Sequence, residues 1–394
     1  MVEANYLIAA LVAMVPVLSD LRGEEREEPQ KDSVNHFLLK SEDESWPVFQ
    51  GSVDLSGVSP VMLGGDLERK WVFDTGSAVK ASPVISGKRV YIGNTEGKFF
   101  SVDVLNGEKV WEADLQGKIT GSALVLGNRV IIGSNYGNVH SFDSETGKEQ
   151  WVFETMDMIN GSINWTMGGD GKTPQIVFGS HDYFLYAVNP DDGTKIWSYE
   201  CESYINGTPA ISGGITAFGG CDAILHVVNP STGEKIRQSE AGSIVVASVG
   251  IKDGVAYYGH QENAFVAVNL KTGEKVWEYD GRSFPFEGSP AITKDYVIFG
   301  GGDKRIHCVE RATGKSAWKF RTRGRVLASP VVTADNRVIC GSNDGRLYSI
   351  DLLTGEEVWS YEIGDSIESS AAIVNGLVVV GCDDGKIYAF QPKK

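Results

Sequence analysis

The sequence predicts an all-β protein, an eight-bladed β-propeller of four-stranded antiparallel blades closed by an N-terminal outer strand. Three periodic marks carry the prediction: a recurring Asp/Asn-x-x-x-Gly-x-x-x-Trp segment, eight glycines that each close a β-rich run, and eight triplets of small residues. Self-similarity at a period of about 40–50 residues is the mark of repeat architectures such as propellers.

The first mark occurs seven times, over 101–111, 141–151, 187–197, 227–237, 267–277, 308–318 and 349–359. Its last residues are 40, 46, 40, 40, 41 and 41 apart, the length of one propeller blade. The Asp or Asn side chain bonds N–H groups of the turn that follows, and the Gly supplies the positive φ at which the strand reverses. The closing indole packs apolar area between neighbouring sheets. Trp111, Trp151, Trp197, Trp277, Trp318 and Trp359 are therefore structural docking residues, joined by Trp71, which lies 40 residues before Trp111. Two departures stand out: Arg237 occupies an indole position, and the third unit is longer around Gly168-Gly169-Asp170-Gly171, which predicts a longer loop.

The second mark, Gly93, Gly133, Gly179, Gly219, Gly259, Gly300, Gly341 and Gly381, ends runs such as RVYIG and opens a short polar turn before a third strand. The third runs from Ala81-Ser82-Pro83 to Ser369-Ser370-Ala371 and places small residues where eight innermost strands crowd one axis. The last unit supplies three strands, to Phe390, and no fourth; residues 68–74 (ERKWVFD) form an outer strand with no inner three before it. The N-terminal strand is thus expected to complete the last blade, which removes exposed sheet edges.

Ahead of the repeats, residues 1–19 form an apolar, signal-like or anchor segment too short to predict a membrane span, although no Lys or Arg precedes it. Residues 20–45 form a charged, solvated spacer, and the propeller spans 46–394. The expected location is extracytoplasmic, in the periplasm or cell envelope, with membrane association made through the N-terminal segment. With 36 basic against 52 acidic side chains, the net charge of -16 repels a phosphate backbone, so no nucleic acid partner is expected. The five cysteines include no C-x-x-C and no vicinal pair, which predicts structural thiols and no metal site.

The repeated segments resemble the tryptophan-docking motif A-x-D-x-x-T-G-x-x-x-W of the pyrroloquinoline-quinone (PQQ)-like repeat propellers. Trp46-Pro47-Val48-Phe49-Gln50-Gly51 resembles the W-P-x-F-x-G opening common in bacterial members. In size the chain is similar to the single-propeller branch, which includes the BamB-type outer-membrane assembly scaffolds. The resemblance implies a non-enzymatic binding scaffold that mediates protein–protein interaction, with envelope proteins or peptides as partners and no cofactor. It also carries an alternative: a PQQ-dependent quinoprotein dehydrogenase, with quinone and calcium in the axial channel, or a propeller that binds a small ligand. Those dehydrogenases are longer and carry an adjacent cysteine pair over the quinone, which this sequence lacks. A stacked quinone would have to rest on Trp165, the one indole inside the propeller that is outside the motif.

The position just before each small triplet is expected near an axial mouth. Its polar members, Lys80, Thr120, Asn160, Asn206, Glu287 and Glu368, are the candidate binding residues together with Trp165; Val246 and Leu327 complete the ring. No catalytic residue is predicted. His140, His226 and His307 share one repeat position with Phe100, Tyr186, Tyr348 and Tyr388, so they are packing positions separated by whole blades. His181 and His260 fall in turns, where a lone histidine is expected to be solvated.

Overall fold

The computed structural model describes residues 45–393. The apolar segment 1–19 and the charged spacer as far as residue 44 lie outside the described residues. Eight four-stranded antiparallel units follow in chain order: blade 1 (84–114), blade 2 (124–154), blade 3 (164–200), blade 4 (210–240), blade 5 (250–280), blade 6 (291–321), blade 7 (331–362) and blade 8 (372–392). Blade 8 takes its outer strand from Leu67–Asp74, which pairs with Lys386–Pro392 in a register that sets Val72 opposite Tyr388. Inner strands are covered on both faces and read as apolar runs, as in Arg89–Gly93, whereas outer strands such as Lys109–Asp114 alternate buried and exposed residues.

Three contacts repeat around the ring and explain the sequence marks. The first joins the indole of one blade to the glycine of the next: a Cβ on Gly147 would lie 2.6 Å from Trp111, and one on Gly314 2.7 Å from Trp277. The indole N–H then donates to a backbone carbonyl of that turn, Trp111 to Ser144 at 3.1 Å, Trp277 to Arg311 at 2.8 Å and Trp318 to Leu352 at 2.7 Å. In every blade the pairing of third and fourth strands shifts register beside this position, a bulge that bends the outer strand and aims the indole at its neighbour. Arg237 serves the same junction differently, its guanidinium donating to the Lys271 carbonyl at 2.8 Å. The longer third unit is an extended hairpin of Asn164–Met167 and Pro174–Gly179, turned at Asp170, whose carboxylate accepts from the Lys172 and Thr173 N–H groups.

In the second contact, the glycine ending each second strand faces the residue that leads into the next blade. A Cβ on Gly93 would stand 2.3 Å from Ile119, and one on Gly381 2.3 Å from Val79 across the closure of the ring. The third contact is a belt of hydroxyls around the axis. The middle residue of each small triplet donates its backbone N–H to the hydroxyl of its counterpart in the next blade, from Ser122 to Ser162 at 2.8 Å through to Ser370 to Ser82 at 2.9 Å. Seven of the eight junctions among the described residues carry this bond.

Residues 45–64 form a sash across one end of the axis. Ser45–Trp46 adds a fifth strand to the inner edge of blade 1. The Pro47 carbonyl then accepts from Val125 of blade 2, and the Val53 carbonyl from the Asn164 side chain of blade 3 and from Ile211 of blade 4, each at 2.8 Å. Asp54, Ser56 and Gly57 accept in turn from Ile251, Ile292 and Val332 of blades 5, 6 and 7 at 2.7–2.9 Å. The sash ends where the Asp335 carboxylate accepts from the N–H groups of Leu63 and Gly64.

A protein beginning at Ser45 is expected to melt cooperatively. One beginning at Leu67 loses the sash and melts lower with the ring still closed; one beginning at Thr75 also loses the clasp strand and aggregates through the bare edge of blade 8. Thermal scans with light scattering check this order, and three equal melting temperatures would refute the closure argument. Trp277→Ala empties the contact with Gly314 and is expected to cost about 3–5 kcal/mol in denaturant unfolding.

Candidate functional site

The inner strands enter from the end opposite the sash, and their first residues line a narrow axial cup of about 170 Å³. The structure brings together at its mouth Lys80, Thr120, Asn160, Asn206, Glu287 and Glu368 with Val246 and Leu327, above the hydroxyl belt and Phe49 of the sash. Because the sash crosses the axis, Phe49 belongs to the floor; the opening motif was legible in the sequence, its place under the channel was not.

Trp165 does not join this set. It is 3% exposed and packs with Val48, Leu124, Val139, Ile159, Ile163 and Phe178 in the core between blades 2 and 3. Its position lies beyond the small triplet on the inner strand, paired with Ile176, where the side chain enters the inter-blade layer instead of the channel.

The rim is electrostatically asymmetric. Lys80 Nζ stands 2.8 Å from Glu368 and 3.4 Å from Asp383. Burial alone would lower its pKa, but Glu368 and Asp383 outweigh that and raise it. Burial lifts the Asp383 carboxyl above its usual range; Lys80 opposes this and Glu368 adds to it. One Asp383 oxygen has no hydrogen-bond partner. Glu287 accepts from Gln261 at 3.0 Å. On the far side His181 Nε2 lies 2.8 Å from Asn160 Nδ2 and 2.7 Å from Asn206 Oδ1, so this histidine is a rim residue and not a solvated turn residue. Its partners come from two other turns, which a linear reading cannot bring together. His260 is buried, at 6% exposed, and desolvation lowers its pKa.

The face around the cup carries exposed apolar side chains: Met156, 91% exposed, with Met158, Tyr183, Tyr204 and Phe284. Tyr204 stacks on His181 at 4.8 Å and touches Tyr183 at 5.4 Å. They sit on the outer-to-inner connections and second-to-third-strand turns of blades 2–6, the same end as the rim.

Behind the turns a second device recurs. An Asp in the turn just before the third strand accepts from an aromatic side chain four residues on: Tyr186 to Asp182 at 2.8 Å, Tyr348 to Asp344 at 2.8 Å and Tyr388 to Asp384 at 2.6 Å. His226 with Asp222 and His307 with Asp303 repeat it at 2.9 and 3.0 Å. These histidines occupy aromatic packing positions and have their polar partners supplied by the repeat.

Eight blades locked by indoles and glycines, with a polar axial cup, define a protein of the PQQ-like propeller class. The profile described as outer membrane protein assembly factor BamB matches residues 62–170, 181–303 and 282–394, and the chain belongs to that family. BamB from Moraxella catarrhalis is similar in structure, with a TM-score of 0.67 at 17% identity over 83% of this chain and 98% of that one. The quinohemoprotein alcohol dehydrogenase of Comamonas testosteroni superposes with a TM-score of 0.75 at 14% identity, over 90% of this chain and 82% of that one. The computationally designed Ika8 protein superposes with a TM-score of 0.69 at 18% identity, over 81% and 97%. At these identities the likenesses show the fold. A search among curated protein sequences returned no match.

Asp383→Asn is expected to stabilise the protein at neutral pH. A carboxyl whose folded pKa is raised above 3.8 makes the folded state lose stability as pH climbs through that raised value. The gain should therefore be present at pH 7 and vanish in acid, where both forms are neutral. Paired thermal melts check it, and a loss at pH 7 would show that the ionised carboxylate is needed by Lys80.

Proposed function

We propose that this chain is a non-enzymatic, extracytoplasmic scaffold of the cell envelope that captures a segment of a partner protein on the face bearing the axial cup. The observation that carries the reading is the arc of exposed Met156, Met158, Tyr183, Tyr204 and Phe284 beside a hydrogen-bonded polar rim. Exposed apolar residues grouped on one face and edged by polar groups favour protein docking, and Tyr and Met supply contact area that adapts to a partner. Membership of the BamB family supports an envelope partner. No helix among the described residues is long and apolar enough to cross a membrane, so attachment to one would fall to the N-terminal segment.

The likeness to alcohol dehydrogenases does not favour catalysis, since a fold hosts many functions. Trp165, on which a stacked quinone would have to rest, lies outside the cup, which supports the reading without a cofactor.

A photo-crosslinking residue placed at Met156 or Tyr204 of the full chain, in native envelope, is expected to yield protein adducts; the same probe at Leu105 or Leu353, on the opposite face, is not. Met156→Asp with Tyr204→Asp should weaken partner capture by about tenfold or more, about 1.4 kcal/mol, at an unchanged melting temperature. Adducts from Leu105 and Leu353 alone would overturn the choice of face. Dye reduction by protein supplied with PQQ, calcium and an alcohol would overturn the non-enzymatic reading.

A further inference from the structure

We propose that Cys201, Asp222 and His226, with Tyr199 behind the imidazole, form a buried binding site for a zinc-like divalent cation at the junction of blades 3 and 4. One ligand atom from each of the three lies within 4.8 Å of the other two. All are withdrawn from solvent: His226 is 0% and Cys201 7% exposed, and the Asp222 side chain 3%. Thiolate, imidazole and carboxylate together are the donor set of four-coordinate zinc, with metal–ligand distances of about 2.0–2.3 Å. Bonds of that length set tetrahedral ligand atoms roughly 3.3–3.8 Å apart. The contraction needed is therefore a side-chain adjustment, with the fourth position left for water.

The surroundings orient the imidazole as a ligand. His226 Nε2 lies 2.9 Å from Asp222, and Nδ1 lies 3.0 Å from the Tyr199 hydroxyl, while the ring stacks on Phe218 with centroids 5.0 Å apart. A ligating histidine holds its other ring N–H on a hydrogen-bond acceptor, and Tyr199 Oη fills that role once Nε2 turns its lone pair to the metal. On binding, the Sγ–H bond of Cys201 breaks, its proton leaves to solvent and a sulfur–metal bond forms. Asp222 exchanges its hydrogen bond from Nε2 for a bond to the cation.

The repeat provides an internal control. At the junction of blades 5 and 6, Tyr279 lies 2.8 Å from His307 Nδ1, and His307 Nε2 lies 3.0 Å from Asp303, the same chain of groups. There Gly281 stands at the position of Cys201. The Tyr–His–Asp chain thus recurs as a packing device where no thiol stands beside it; what distinguishes blades 3 and 4 is the added sulfur. The site lies at the cup-side end of this junction, three residues from Tyr204, but uses none of the rim or docking side chains, so its failure would leave the scaffold reading untouched.

The test uses the full chain, treated with chelator under reducing conditions and titrated with Co²⁺. The expected result is a thiolate-to-cobalt charge-transfer band that saturates at one equivalent, is displaced by Zn²⁺, and is accompanied by a rise in melting temperature. Cys201→Ala, which places at this position the residue found in the next blade as Ala241, should abolish band and rise alike. His226→Phe, the residue that blade 1 carries as Phe100, should do the same, whereas His307→Phe should retain both. Absence of the band in the unaltered protein, or its persistence in Cys201→Ala, would overturn the proposal.

Discussion

Eight sheets that converge on one axis leave the inner edge of every blade facing its neighbours with backbone N–H groups to satisfy, and most of the architecture answers that constraint. Water in a narrow channel is a poor general partner, and an unpaired buried N–H costs about 1–3 kcal/mol. The protein uses two solutions at two heights. Near the cup, Ser and Thr hydroxyls accept the N–H of the preceding blade. At the opposite end the sash offers one carbonyl after another to Val125, Ile211, Ile251, Ile292 and Val332. Size and polarity are thus required together: a small apolar residue would fit the belt but leave the donor unpaired, and a larger one would close the channel.

This separates what the sequence shows plainly from what it hides. The indole, glycine and small-residue marks are local, so blade number, strand order and the borrowed outer strand follow from spacing alone. The same holds for the rim ring, because a repeat position maps to a fixed height on the axis. Crowding explains why residues such as Ser82 and Ser162 are small but not why they bear hydroxyls, since the accepted N–H belongs to another blade. The sash is hidden for the same reason: Pro47, Val53 and Gly57 carry no signal of the four blades whose donors they accept. Trp165 shows the opposite case: its departure from the motif points to the channel, whereas the inner-strand alternation buries it between blades.

The two ends of the ring are then fitted for different work. The sash end holds the tight turns of the docking motif, whose glycines lie against indoles and leave little room for variation. The cup end carries the outer-to-inner connections, whose requirements stop at one β-branched or aromatic residue facing a glycine and one small triplet. Met156, Tyr204 and Phe284 lie in these freer connections. Loops released from packing duty on a rigid frame are where binding groups accumulate, which is a physical reason to look for a partner there.

A repeat fold also makes chemistry visible by difference. His226 and His307, judged singly, are two buried histidines with carboxylate partners; judged as occupants of the position filled by Tyr186, Tyr348 and Tyr388, they are variants of one aromatic–aspartate contact. A group that merely recurs is explained by the ring. Cys201 departs from its equivalents Leu115, Thr155, Ala241 and Gly281 by bringing a metal-ligating atom to a pair already in place. A departure of that kind has no packing advantage over alanine that the neighbouring blades reveal, so its chemistry, and not its volume, is what distinguishes that junction.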